Sequence, residues 1–231
     1  MKTRLSEGEI RSKADSLVRR WLNSKRAPAL RIDLHEIAYS AGLRVEEIEE
    51  LGGVRLMNPW AESGVEVVGI LDRINDTATI SRKQSLAVQR FTLAHEIAHW
   101  VLHPGLVHHR ERVESDNLSP RLAKRPEERE ADIFASELLM PAAIIKREMA
   151  KRFGGPIDGS LVHEDLAFML SVGTGKTIQP TWLARIPQME GAQLFAQASS
   201  FGGPPFEPLC EAFGVSAKAM AYRLLELGLV F

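Results

Sequence analysis

Residues 85–103, SLAVQRFTLAHEIAHWVLH, contain no glycine or proline and end directly before Pro104-Gly105. Apolar side chains recur along this stretch at helical spacing. Together they form a broad apolar face made of Leu86, Phe91, Ala94, Ala98, Val101 and Leu102. The pattern predicts one long, largely buried helix, around which the rest of the domain has to pack.

This helix contains the segment His95-Glu96-Ile97-Ala98-His99, in which two histidines are four residues apart. On a helix, residues i and i+4 share a face with Cβ atoms about 6 Å apart. Both imidazoles can therefore bind one zinc ion at about 2.0–2.1 Å. Glu96 is placed to act as general base on a water at that ion. The spacing predicts zinc as cofactor and Glu96 as catalytic residue.

A hydrolytic zinc site needs a third protein ligand and one open position. His103 lies about 12 Å along the helix axis from His95, too far to share the same ion. His108 and His109 fall in a highly charged stretch, residues 106–125, which the composition predicts to be a loop. They remain alternatives without further support.

A second helix is expected to begin at Pro126, since proline is favoured at the first helical position. Glu127 and Glu128 lie in its first turn, where the helix dipole alone accounts for acidic residues. Glu130 lies further along the chain, at the border of the apolar face. It is the favoured third zinc ligand, although the residues alone leave the choice open.

Three other elements follow from local patterns. Ser6 and Glu9 form a capping box at the start of an amphipathic helix. Residues 33–42 predict a short helix that Gly42 ends. Residues 65–81 predict a β-hairpin turning at Asn75-Asp76, whose edge could take an extended substrate segment by strand addition.

The fold class expected is α+β, with three parts. Residues 1–153 form the catalytic domain. Residues 154–203 hold eight of the seventeen glycines and predict an irregular insertion or a mobile lid. Residues 204–231 return to a helical pattern of the helix-turn-helix kind, with Gly214 as the turn and Ser216 as the second N-cap.

Composition excludes several classes of protein. The 231 residues carry a net charge of −1, and the single cysteine, Cys210, rules out an internal disulfide framework. No apolar run approaches the length of a bilayer span, so we expect a cytoplasmic protein without membrane contact. Direct DNA binding is not expected, because residues 204–231 carry two cations, Lys218 and Arg223, against three glutamates.

The segment Arg90–His99 resembles the active-site helix of the ImmA/IrrE metallopeptidases, and residues 130–141 resemble the second signature of that family. Residues 209–229 are similar to its helix-turn-helix-like tail. The resemblance implies a zincin-like domain of the gluzincin type, with a small sheet packed on the active-site helix. It places zinc on His95, His99 and Glu130, with Asp132 where asparagine is more usual.

The resemblance also implies a function and a partner. The substrate would be a helix-turn-helix repressor, cleaved in the regulatory circuit of a mobile element or a stress response. The alternative is a non-enzymatic regulator that binds DNA or a repressor around a structural zinc. Glu96 argues against this alternative, because a structural site has no use for a general base.

Overall fold

The computed structural model describes residues 4–25, 30–49, 51, 65–105, 108–114, 125–157 and 163–230. The chain divides into two compact units, Met1–Leu139 and Met140–Phe231. The N-terminal unit contains α1 (Glu7–Asn23), α2 (Leu34–Ser40), β1 (Arg44–Ile48), β2 (Val65–Asp72), β3 (Thr77–Ser81), α3 (Leu86–Leu102), β4 (His108–Glu114) and α4 (Pro126–Leu139). The C-terminal unit contains α5 (Ala142–Phe153), α6 (His163–Thr174), α7 (Pro180–Leu183), α8 (Gln188–Gln197), α9 (Leu209–Phe213) and α10 (Ala217–Glu226). The predicted α+β class is confirmed.

The first two helices begin where their capping residues place them. The Ser6 hydroxyl accepts a hydrogen bond from the Glu9 backbone N–H, and the Glu9 carboxylate accepts one from the Ser6 N–H, so the capping box is complete. The Asp33 carboxylate accepts hydrogen bonds from the backbone N–H groups of His35 and Glu36 in the first turn of α2. Gly42 follows α2 with a φ of +78°, a conformation that glycine adopts without strain.

A four-stranded sheet in the order β1-β3-β2-β4 lies in the N-terminal unit. The predicted hairpin is present, because β2 and β3 pair antiparallel with Asp72 opposite Thr77. β1 adds to β3 in parallel, and β4 adds to β2 antiparallel. Both outer edges of the hairpin are thus already paired, so it cannot offer a free edge to a substrate.

Two of these strands were not predicted. β1 reads RVEEI and β4 reads HHRERVE, and both occupy sheet edges. Edge strands in proteins are often rich in charged side chains. That charge removes the alternating pattern by which strands are recognised, and it explains why residues 106–125 resemble a loop in sequence.

Helix α3 contacts β2, β3 and α4 and forms the centre of the N-terminal unit. The side chains at Ala94, Ile97 and Ala98 are fully buried. On α4, Ala131 and Ala135 are equally buried. Alanine at these positions lets the two helix backbones approach closely, which brings the polar side chains of both helices within reach of one another.

Arg73, in the turn between β2 and β3, holds the C-terminal end of α3. Its Nη2 donates to the backbone carbonyls of His99, Trp100 and His103 at 2.6, 2.8 and 3.1 Å. Its guanidinium also lies over the Trp100 ring, 4.6 Å from the centroid. A cation at a helix C-terminus stabilises the helix dipole and satisfies the last carbonyls. Burial lowers the pKa of Arg73 from its ordinary value.

In the C-terminal unit, the structure differs from the expected insertion or lid at 154–203. This range contains α6, α7 and α8, and α8 packs against α10. Leu170 and Phe195 are buried in the core of the unit. At Gly173 an added Cβ would lie 2.2 Å from the Ser200 carbonyl oxygen, so this glycine permits a close backbone approach.

Residues 204–231 contain two short helices, α9 and α10. Gly214 has a φ of +65° between α9 and α10, and the Ser216 hydroxyl accepts from the Ala219 N–H at the start of α10. Arg223 on α10 is almost fully buried and donates to the Met140 carbonyl. Across the described residues, no helix combines the length and apolar character that crossing a membrane requires.

Candidate metal centre

Helix α3 presents both histidines of the motif on one face. Neither His95 nor His99 has any solvent exposure, and Glu96 between them is equally buried. The two imidazoles meet with their Nε2 atoms 3.0 Å apart. The i, i+4 spacing therefore brings two ligand nitrogens together, as the sequence predicts.

A carboxylate from α4 completes the group. Glu128 Oε2 lies 3.3 Å from His95 Nε2 and 3.7 Å from His99 Nε2. Among the described residues, His95, His99 and Glu128 are the His, Cys, Asp and Glu side chains whose ligand atoms all lie within 4.8 Å of one another. The Glu128 side chain keeps 24% of its surface exposed, so the group is reached from solvent on this side.

Glu130, the residue favoured from the sequence, does not join this group. Its Oε2 lies 3.1 Å from His103 Nε2, and its Oε1 lies 3.7 Å from the guanidinium of Arg4. Among the described residues, the carboxylate grouped with the two histidines of the motif is that of Glu128.

The difference has a simple helical reason. At 100° per residue, Glu130 lies about 200° around α4 from Glu128, on nearly the opposite face. Asp132 is four residues beyond Glu128 and shares its face. The first-turn position of Glu128 satisfies the helix dipole, and the same residue also faces α3. The i, i+4 pair Glu128 and Asp132 was the sequence signal that could have identified it.

Asp132 contacts the other nitrogen of His95. Its Oδ1 lies 3.2 Å from His95 Nδ1, while His95 Nε2 faces Glu128. Asp132 thus lies beside His95 but outside the group formed by His95, His99 and Glu128. A carboxylate beside the second nitrogen of a histidine ligand commonly orients that ligand.

The donor set fits zinc. Tetrahedral coordination with bonds of 2.0–2.1 Å separates the ligand atoms by about 3.3 Å. The three ligand-atom separations here are 3.0, 3.3 and 3.7 Å. Two imidazoles and one carboxylate form a set typical of catalytic zinc, with the fourth position open. The side chains of His108 and His109 lie outside the described residues.

Part of the chain matches a known protein family. Residues 69–155 match the family model of the Peptidase M78 group, described as an IrrE N-terminal-like domain. The match includes α3 and α4, the two helices that carry the candidate ligands. No significant match is found among curated proteins.

Proposed function

We propose that this chain, whose residues 69–155 match the IrrE N-terminal-like domain, is an ImmA/IrrE-type metallopeptidase that uses zinc to cleave a protein substrate. The observation that carries the proposal is the meeting of His95, His99 and Glu128 on two neighbouring helices. Glu96 is buried directly beside His95 in the sequence of α3. A structural zinc site is closed by four protein ligands, whereas the described residues bring three together.

The chemistry follows from the residues of the motif. Zinc, when bound, supplies a Lewis acid that polarises the scissile carbonyl and makes water more acidic. Glu96 accepts the proton of the attacking water and passes it to the leaving amine. His95, His99 and Glu128 would hold the ion. Asp132, whose Oδ1 lies 3.2 Å from His95 Nδ1, is proposed to orient that ring. Three protein ligands are enough for this chemistry, because the fourth position of a catalytic zinc is taken by water or substrate.

The substrate is proposed to bind in extended form along a sheet edge. In the described part of the chain, the outer edges of β1 and β4 are the ones without a neighbouring strand. β4 contacts α3, the helix that carries the motif. We therefore assign strand addition to β4 rather than to the hairpin.

The finer proposal is that the substrate is a helix-turn-helix repressor and that cleavage belongs to a regulatory circuit in the cytoplasm. It rests on the resemblance of the two signatures, residues 90–99 and 130–141, to the family. A small repressor encoded by the neighbouring gene would support it. Direct DNA binding is not part of the proposal.

The test uses the zinc-loaded protein with two probes, a proteome-derived peptide library and the purified helix-turn-helix proteins of the same genome. Mass spectrometry of new N-termini identifies the cleaved bonds. We expect cleavage by the parent protein and none by Glu96→Gln or by the parent with a chelator. A repressor that binds the chain but stays intact with zinc present would favour the non-enzymatic regulator instead.

A further inference from the structure

A chain of hydrogen bonds leads from the candidate metal centre to Glu130. His99 Nδ1 lies 2.9 Å from His103 Nδ1, and His103 Nε2 lies 3.1 Å from Glu130 Oε2. All three residues are buried, with His99 fully excluded from solvent and the other two 8% exposed. His103 and Glu130 are thus connected to the site without being near enough to bind the same ion.

The direction of these bonds follows once His99 binds a metal through Nε2. A ligating imidazole nitrogen carries no proton, so neutral His99 keeps its proton on Nδ1. That N–H then donates to His103 Nδ1. Neutral His103 consequently carries its own proton on Nε2, from which it donates to the Glu130 carboxylate. One set of tautomers satisfies every atom of the chain.

We propose that His103, held by Glu130, is a positioning residue that accepts the Nδ1 proton of His99 and fixes its Nε2 toward the metal. The inference rests on the proposed zinc site, and it assigns the two buried groups that the catalytic roles above leave unused. Each ligating histidine would then have its own partner, Asp132 for His95 and His103 for His99.

The surroundings of His103 support this role. Its backbone N–H donates to the His99 carbonyl at 3.0 Å, and its own carbonyl accepts from Arg73. The backbone of His103 is therefore held by hydrogen bonds that a substitution of its side chain leaves intact. The charge of Glu130 is compensated at its other oxygen by Arg4, 3.7 Å away.

The experiment measures the affinity of the purified, metal-free protein for Co²⁺ by chelator competition, together with the visible absorption of the bound ion. His103→Leu removes the acceptor, whereas His103→Asn keeps an acceptor oxygen close to the position of Nδ1. Loss of an outer partner of a metal ligand typically costs 10–100-fold in affinity. We expect that loss and an altered cobalt spectrum for His103→Leu, with substantial recovery in His103→Asn.

His35→Leu is the matched control, because His35 contacts Glu47 at 3.0 Å in an exposed pair on α2 and β1. It should leave cobalt affinity unchanged. Parental affinity and spectrum in His103→Leu would overturn the inference while leaving the zinc site standing. Failure of the parent protein to bind cobalt or zinc would overturn the proposed function itself.

A measurement on the parent protein covers the case in which His103→Leu does not fold. Nitrogen-15 NMR of the zinc-loaded protein distinguishes the two neutral tautomers of each histidine. We expect the proton of His99 on Nδ1 and that of His103 on Nε2. A His103 ring protonated on Nδ1 cannot accept from His99 and would contradict the proposal.

Discussion

The substitution Glu128→Gln tests whether the third zinc ligand is Glu128, as the structure indicates, or Glu130, which the sequence favoured. Glu128 Oε2 lies 3.3 and 3.7 Å from the two histidine nitrogens, so its charge is available to an ion between them. The neutral amide of glutamine is a weaker ligand for zinc than a carboxylate. Loss of an outer partner alone costs 10–100-fold in affinity. Removing the ligand itself should therefore weaken zinc binding by about 100-fold or more.

The effect can be read from unfolding by urea. At a zinc concentration 100 times the parental dissociation constant, bound zinc stabilises the folded protein by about 2.7 kcal/mol. A 100-fold weaker site leaves only about 0.4 kcal/mol at the same concentration. The assay compares the free energy of unfolding with zinc and with a chelator for each variant, so any effect of the substitution on the metal-free protein cancels.

Two neighbouring glutamates supply the controls. Glu127→Gln should keep the full zinc-dependent stabilisation, because Glu127 does not belong to the ligand group. Glu130→Gln retains an oxygen that can accept a hydrogen bond from His103. It should therefore lose less of the zinc-dependent stabilisation than Glu128→Gln. If Glu128→Gln kept the zinc-dependent stabilisation while Glu130→Gln lost it, the assignment from the structure would be refuted.

Three further predictions concern the general base, the residue beside His95 and the core of the C-terminal unit. Glu96→Gln should retain zinc, measured by elemental analysis, while peptide cleavage falls by roughly 10²–10⁴-fold, since proton transfer is lost; undiminished cleavage would exclude the general-base role. Asp132→Leu should weaken zinc binding by about 10–100-fold in chelator competition, because nothing then orients His95; unchanged affinity would contradict this. Phe195→Ala should cost about 3–5 kcal/mol in urea unfolding, since its buried ring stacks edge-on with Phe153 at 5.6 Å. The exposed Phe168→Ala should change stability by less than about 0.5 kcal/mol, and an equally small loss for Phe195→Ala would show that Phe195 does not contribute to the core.

The features that were predicted best from the sequence depend on residues close to one another along the chain. The capping box at Ser6, the hairpin at 65–81 and the helix at 85–103 each depend on residues within a few turns of one another. The two histidines and Glu96 belong to this group, because one helix fixes their spacing. Nothing from the rest of the fold was needed to place them.

Features that depend on packing between elements were harder to predict. Glu128 lies in the first turn of α4 and also beside the histidines of α3. In the sequence, the favourable interaction of an acidic residue with the helix dipole was enough to explain its presence, so its second contact was missed. The rotation of α4 against α3 brings the carboxylate of Glu128, rather than that of Glu130, to the histidines. The glycine-rich composition of 154–203 was equally ambiguous, because Gly175 and Gly202 occupy turns with positive φ beside packed helices.

The most direct test of the central claim is a crystal structure of the zinc-loaded protein with anomalous diffraction recorded at the zinc edge. The account predicts one strong anomalous peak about 2.0–2.2 Å from His95 Nε2, His99 Nε2 and a Glu128 oxygen. A peak bound instead by Glu130, or no peak at these histidines at saturating zinc, would contradict it.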